Sequence, residues 1–215
     1  MRIFGKFCLA ILLLLGAGWL ARGQEVIDAI AARIENDIIL LSDIRELSRY
    51  QLFLDGQSED NAKILDHLID QWIVRNEANA ALFPQPSDEE VDRNLARIKR
   101  SFGSAEEFEA HQKQSGLSNE DLRRLVKSQL YLSNYLDSRF RASIRIDDKA
   151  IEEFYKERVI PRAEARGRKP PTLDAAHDFI QEALVQRAVN EQADRWLKES
   201  RSRVKVQNLL REGAR

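Results

Sequence analysis

The chain has 215 residues, 32% charged and 7% aromatic, with 34 basic and 35 acidic residues and a formal net charge of −1. That balance gives a polyanion no general attraction, which excludes nucleic-acid binding driven by bulk charge. A single cysteine excludes a disulfide scaffold and any Cys-based metal site.

The first 23 residues have the layout of a secretory signal peptide. Arg2 and Lys6 form a positive start, 7–15 is an apolar run, and Ala21 and Gly23 put small residues at −3 and −1 of a cut before Gln24. The apolar stretch 7–20 is shorter than the roughly 20 residues a membrane span needs. The only cysteine, Cys8, lies inside that run and not at its end, so a lipoprotein anchor does not fit. The expectation is export to the periplasm with cleavage between Gly23 and Gln24. Loss of the leader's three basic residues leaves 31 against 35 acidic ones, a net charge of −4 on 24–215.

Alternation over 27–34 predicts a strand. Glu35-Asn36-Asp37 reads as a turn, because Asn and Asp tolerate the left-handed region, and 38–41 reads as the returning strand of a hairpin. Ser42-Asp43 then offers a helix N-cap, with a helix to about Leu54 ended by Asp55-Gly56. The stripe Ile64, Leu65, Leu68, Ile69, Trp72 and Ile73 predicts a helix over 61–82. As a core residue, Trp72 would cost about 3–5 kcal/mol on truncation to alanine. Ser87 opens a helix with Val91, Leu95, Ile98 and Phe102 on its inner face, Ser104 a short helix ending at Gly116, and Ser118 a long one through Leu136.

The stretch 141–146 alternates and reads as a short extended segment. Asp147-Asp148 caps a helix bearing Ile151, Phe154, Tyr155 and Val159. About 160–171 reads as a basic, Pro-containing linker whose Arg162, Arg166, Arg168 and Lys169 form a solvated loop, with contact to anionic headgroups as the alternative. Thr172 caps a last helix to about Arg201, and 203–206 alternates once more. The fold class expected is mainly α, with a small hairpin near the N-terminus joined by a C-terminal strand.

Catalytic patterns are scarce. His67, His111 and His177 lack the i, i+4 pairing of a zinc site and read as solvated helix residues. Asp88-Glu89-Glu90 and Glu106-Glu107 read as helix starts. The sequence contains neither a Gly-x-Ser-x-Gly elbow nor a Gly-rich phosphate loop.

The stretch 26–44 resembles the opening of the SurA family of periplasmic chaperones and isomerases, through Asp28, Ile30, Ala31, Ala32, Asn36, Ile39, Leu40, Ser42 and Asp43. Looser likeness continues through 65–77, 87–102 and the closing Trp196-Leu197 to Val206, so it spans nearly all of 24–210. One departure matters. The family carries parvulin-type isomerase domains between its helical N-terminal part and its last helix. Here the interval 159–172 has no room for a domain of on the order of 100 residues.

The resemblance therefore implies the chaperone part alone: an ATP-independent holdase for unfolded outer-membrane or secreted proteins. A holdase needs no catalytic residue, cofactor or metal; the acidic charge speaks against a nucleic-acid partner, the short basic run allows at most peripheral membrane contact, and the long last helix fits a monomer or domain-swapped dimer. The candidate client-binding residues are Tyr50, Phe53, Phe102, Phe108, Tyr131, Tyr135, Phe140 and Tyr155, about a third of them expected to be exposed. The rival readings are a peptidyl-prolyl isomerase relative and a non-catalytic envelope adaptor that docks one folded partner.

Overall fold

A computed structural model describes residues 28–210; the expected cleavage site at Gly23 and Gln24 lies outside them. The element order is β1 (Ile30–Ile34), β2 (Asp37–Leu40), α1 (Leu41–Asp55), α2 (Asn61–Ala80), α3 (Asp88–Ser101), α4 (Ala105–Ser115), α5 (Asn119–Phe140), α6 (Asp148–Phe154), a π-helical turn (Tyr155–Val159), α7 (Ile160–Glu164), α8 (Leu173–Arg201) and β3 (Val206–Asn208). The fold is mainly α with one small antiparallel sheet made from both ends of the described chain.

The sheet order is β2-β1-β3, so β1 is central. A two-stranded hairpin alone is marginal in water, and the C-terminal strand completes it. Ala32 faces Asn208 and Ile34 faces Val206. The pairing falls later in the chain than the expected 204–206, because Val204 packs against the core below the sheet instead. Lys205 serves the hairpin turn: its N–H donates to Glu35 Oε1 at 2.7 Å, and its carbonyl accepts the Glu35 N–H at 3.0 Å. Those two bonds hold Glu35 at φ 50°. Glu35 thus takes the left-handed position expected of Asn36 or Asp37, and Asp37 joins β2.

The start of α1 also differs from expectation. β2 runs into the helix without a loop, so Leu40 is the N-cap and Asp43 accepts the Leu40 N–H at 2.8 Å. The orphan N–H groups of the first turn are met by the preceding segment, Leu41 by Ala29 O at 2.8 Å and Ser42 by Asp28 at 3.3 Å. Hydrogen bonding from Ser42, with Arg45 adding its charge, holds the Asp28 carboxyl below the ordinary range.

The remaining caps follow the sequence closely. Ser87, Ser104, Ser118, Asp147 and Thr172 each accept the N–H three residues on. Local chemistry decides these, since the acceptor and the orphan donor are three residues apart.

Two segments depart from the sequence reading. The stretch 141–146 is extended only from Ile144, at φ −84° and ψ 136°. Arg141–Ser143 is a 3₁₀ turn, and Arg141 is clamped between Asp137 (2.8 Å) and Glu182 (2.8 Å). The expected linker at 160–171 begins as helix, Ile160–Glu164, and becomes turn and loop only from Ala165 onward. Pro161 lacks an N–H and its ring crowds the preceding turn. The helix responds by widening, and the Ile160 N–H bonds Tyr155 O, five residues back. It then closes in a Schellman motif, with Arg168 N–H to Ala163 O at 3.0 Å, Gly167 N–H to Glu164 O at 2.8 Å and Gly167 at φ 63°.

Three clusters of buried side chains hold these elements. The largest joins the sheet to α1, α2, α3 and α5 through Ile34, Ile44, Phe53, Ile64, Leu65 and Val91. The second joins the C-terminal ends of α2 and α5 through Val74, Ala78, Tyr131, Leu132 and Tyr135. The third packs α6 on the start of α8 through Ile151, Ala176 and Ile180. Helix α8 spans all three: 29 residues, or about 44 Å at 1.5 Å per residue. Trp196 and Leu197 near its end touch both larger clusters. Trp72 is half-buried at the margin of the first, its Nε1–H donating to Asp37 Oδ2 at 2.8 Å. The full core value expected for its truncation therefore does not apply; it works as a tether between α2 and the hairpin.

Candidate functional site

A cleft of about 580 Å³ lies between α1, α2, α5 and α8. Each of three helices shows it one face. From α1 come Leu47, Tyr50, Gln51 and Leu54; from α2 His67, Asp70, Gln71 and Val74; from α5 Gln129, Leu132, Ser133 and Leu136. The spacings i, i+3, i+4 and i+7 put each set on a single stripe. Asp194 and Leu197 of α8 close one side. The walls are leucine and valine with neutral glutamines between them, a surface able to take apolar side chains while its amides meet a peptide backbone.

The cleft also holds two carboxylates, Asp70 and Asp194. Arg201, the last residue of α8, bonds Asp70 Oδ1 at 3.2 Å and reaches Asp66 as well. Burial pushes the Asp70 carboxyl above its ordinary range, and the Arg201 charge opposes this only in part. His67 bonds Glu59 at 2.7 Å. Hydrogen bonds to Gln51 and His67 hold Glu59 below the usual carboxylate range.

Of the eight aromatic candidates, the cleft gathers only Tyr50, and that ring is just 7% exposed. Phe53, Phe102 and Phe108 instead form a mutual cluster with ring centroids 5.4 Å apart. His111 joins it, 5.2 Å from the Phe102 ring and with Nδ1 bonded to Phe53 O at 2.9 Å. It is a half-buried packing residue and not the solvated one expected. Tyr131 and Tyr135 are buried around Phe83, the first donating to Asn79 Oδ1 at 2.9 Å and the second accepting from Arg139 at 2.9 Å. Phe140 lies half-buried against Trp196 at 6.1 Å, with Arg139 stacked over both rings. Tyr155 is half-buried and donates its hydroxyl to Pro171 O at 2.5 Å, latching the π turn to the loop before α8.

Tyr50, Phe53, Tyr131 and Tyr135 are buried and the other four half-buried, so none of the eight is fully exposed, against the third expected. Large rings in a chain with few aromatics are drawn to the core. The cleft is lined by aliphatic residues that sequence reasoning did not single out: Leu47, Leu54, Val74, Leu132, Leu136 and Leu197. The only trace in the sequence is a stripe that sets leucine or valine beside glutamine on each of three helices. Periodicity alone does not say that the three face one another.

Among the described residues no group of His, Cys, Asp and Glu is placed to hold a metal ion. No described helix is long and apolar enough to cross a membrane. Comparison with protein-family models and with curated proteins finds no match to this chain.

Proposed function

We propose that the protein is an ATP-independent holdase of the periplasm that takes up unfolded outer-membrane proteins in the cleft between α1, α2, α5 and α8. The observation that carries this reading is the make-up of the cleft: aliphatic walls from three helices, interleaved with neutral amides. Such a surface accepts many apolar sequences without demanding one, as a holdase requires. The resemblance of 26–44 and of the closing segment to the SurA family supports the same reading, as does the leader-like start of the chain. The mechanism needs no bond chemistry. Apolar client side chains leave water against Leu47, Val74, Leu132 and Leu136, the glutamines meet the client backbone, and release follows when the client buries those side chains in its own fold.

The exported chain has no cysteine, so single cysteines can be placed freely. A photo-crosslinker on Leu54→Cys, in the cleft, is expected to capture an unfolded barrel protein. The same group on Leu82→Cys, 90% exposed and outside the cleft, is expected to capture little. Equal yields at the two positions would remove the cleft from the account. Capture of the folded client as well would favour an adaptor, and accelerated isomerisation of an X-Pro peptide would favour the enzyme reading.

A further inference from the structure

A second concavity, of about 600 Å³, lies on the arm that α6, the π turn and α7 build against the first half of α8. It shares no lining residue with the cleft. Phe154, Val159, Ala163 and Ala183, all half-buried, supply its apolar part, together with Phe179, which is 74% exposed. Arg158, Arg162, Arg166, Arg168 and Lys169 line it as well, every one exposed.

Among the described residues these five cations form no ion pair, although their neighbours do. Lys149 pairs with Glu153, Lys156 with Glu152 and Arg187 with Glu191. The segment's own carboxylates, Glu157 and Glu164, do not line the groove. A chain of net charge −1 has thus gathered five unpaired cations around one apolar hollow.

Three local features shape the backbone that carries them. Pro161 forces the π turn that carries Arg158, the Schellman motif at Gly167 turns Arg166 and Arg168 back over the groove, and Tyr155 fixes the loop at Pro171. A π turn in a helix is frequently a functional feature. The volume is that of a ligand site. Five separate cations exceed what one anionic headgroup engages, whereas a chain with several carboxylates meets them all.

We infer that this groove binds extended peptide segments in which acidic residues flank large apolar or aromatic side chains. The carboxylates pair with the arginine rim, and an apolar side chain covers Phe179 and Phe154. This goes beyond the holdase reading and does not depend on the cleft, so either can fail alone.

The test is fluorescence anisotropy of a short rhodamine-labelled peptide of alternating Glu and Phe, titrated with the purified protein. Binding is expected, weaker as salt shortens the range of the charges. Arg162→Glu with Arg166→Glu is expected to weaken it by about tenfold or more, the scale of losing two charge pairs. Phe179→Ala, a change at an exposed side chain, is expected to weaken it by about threefold. Circular dichroism melting of both variants checks that each is folded. Unchanged affinity in the charge-reversal variant, or equal binding of a Lys-Phe peptide, would overturn the inference. Flotation with phosphatidylglycerol vesicles without peptide binding would overturn it too, and assign the patch to a membrane surface.

Discussion

Removing the chain from Trp196 onward abolishes cooperative unfolding or lowers the melting temperature by tens of degrees. The deletion takes away the third strand, the Arg201 tie to Asp66 and Asp70, and four side chains, Trp196, Leu197, Val204 and Leu210, that pack on the main core. At about 1–2 kcal/mol for each partly buried side chain, the apolar loss alone is on the order of 5 kcal/mol. Total stability for a domain is about 5–15 kcal/mol. The hairpin left behind has no partner on the β3 side of β1. Circular dichroism melting of the full and shortened proteins decides the point. An unchanged transition would mean that the terminal strand only decorates the fold.

Phe53→Ala costs about 3–5 kcal/mol, the range for emptying a buried aromatic site. Phe53 is 1% exposed, packs on Phe102 and Phe108, and through its carbonyl anchors His111 on α4. It is the pin between α1 and the α3–α4 corner. Urea denaturation should show a midpoint well below that of the parent protein, with client capture unaffected while the variant remains folded. A stable variant that fails to bind client would reverse the assignment and put Phe53 in the binding surface.

The parts of the fold that could be read from the sequence are those set within a few residues. Ser87, Ser118 and Thr172 announce their helices because a hydroxyl and an orphan N–H lie three positions apart. The start of α8 at the Thr172 cap follows from the same chemistry. The stripe on α2 was legible because it is continuous: Ile64, Leu65, Ile69 and Ile73 are buried as the spacing implies.

What was missed depends on distant partners. The basic run 162–169 and Pro170-Pro171 after it suggested a linker from about residue 160. The helix survives there because a π turn absorbs the hydrogen bond missing at Pro161 and Gly167 closes the end. The register of β3 follows from Val204 being claimed by the core and Lys205 by the Glu35 turn, 170 residues away in sequence. The aromatics were read as a binding surface, yet Phe53, Tyr131 and Tyr135 are where the helices meet. The cleft itself is a juxtaposition of three ordinary amphipathic faces, and no one of them carries its signature.

The proposed holdase role requires that unfolded chains be held without nucleotide or catalysis. The measurement that bears on it most directly is light scattering of a denatured outer-membrane barrel protein, diluted with and without the purified protein and in the absence of ATP. Suppression of aggregation is expected near a one-to-one ratio, reduced when Leu54 and Leu136 in the cleft are both replaced by glutamate. Unchanged scattering in the presence of the folded parent protein would contradict it.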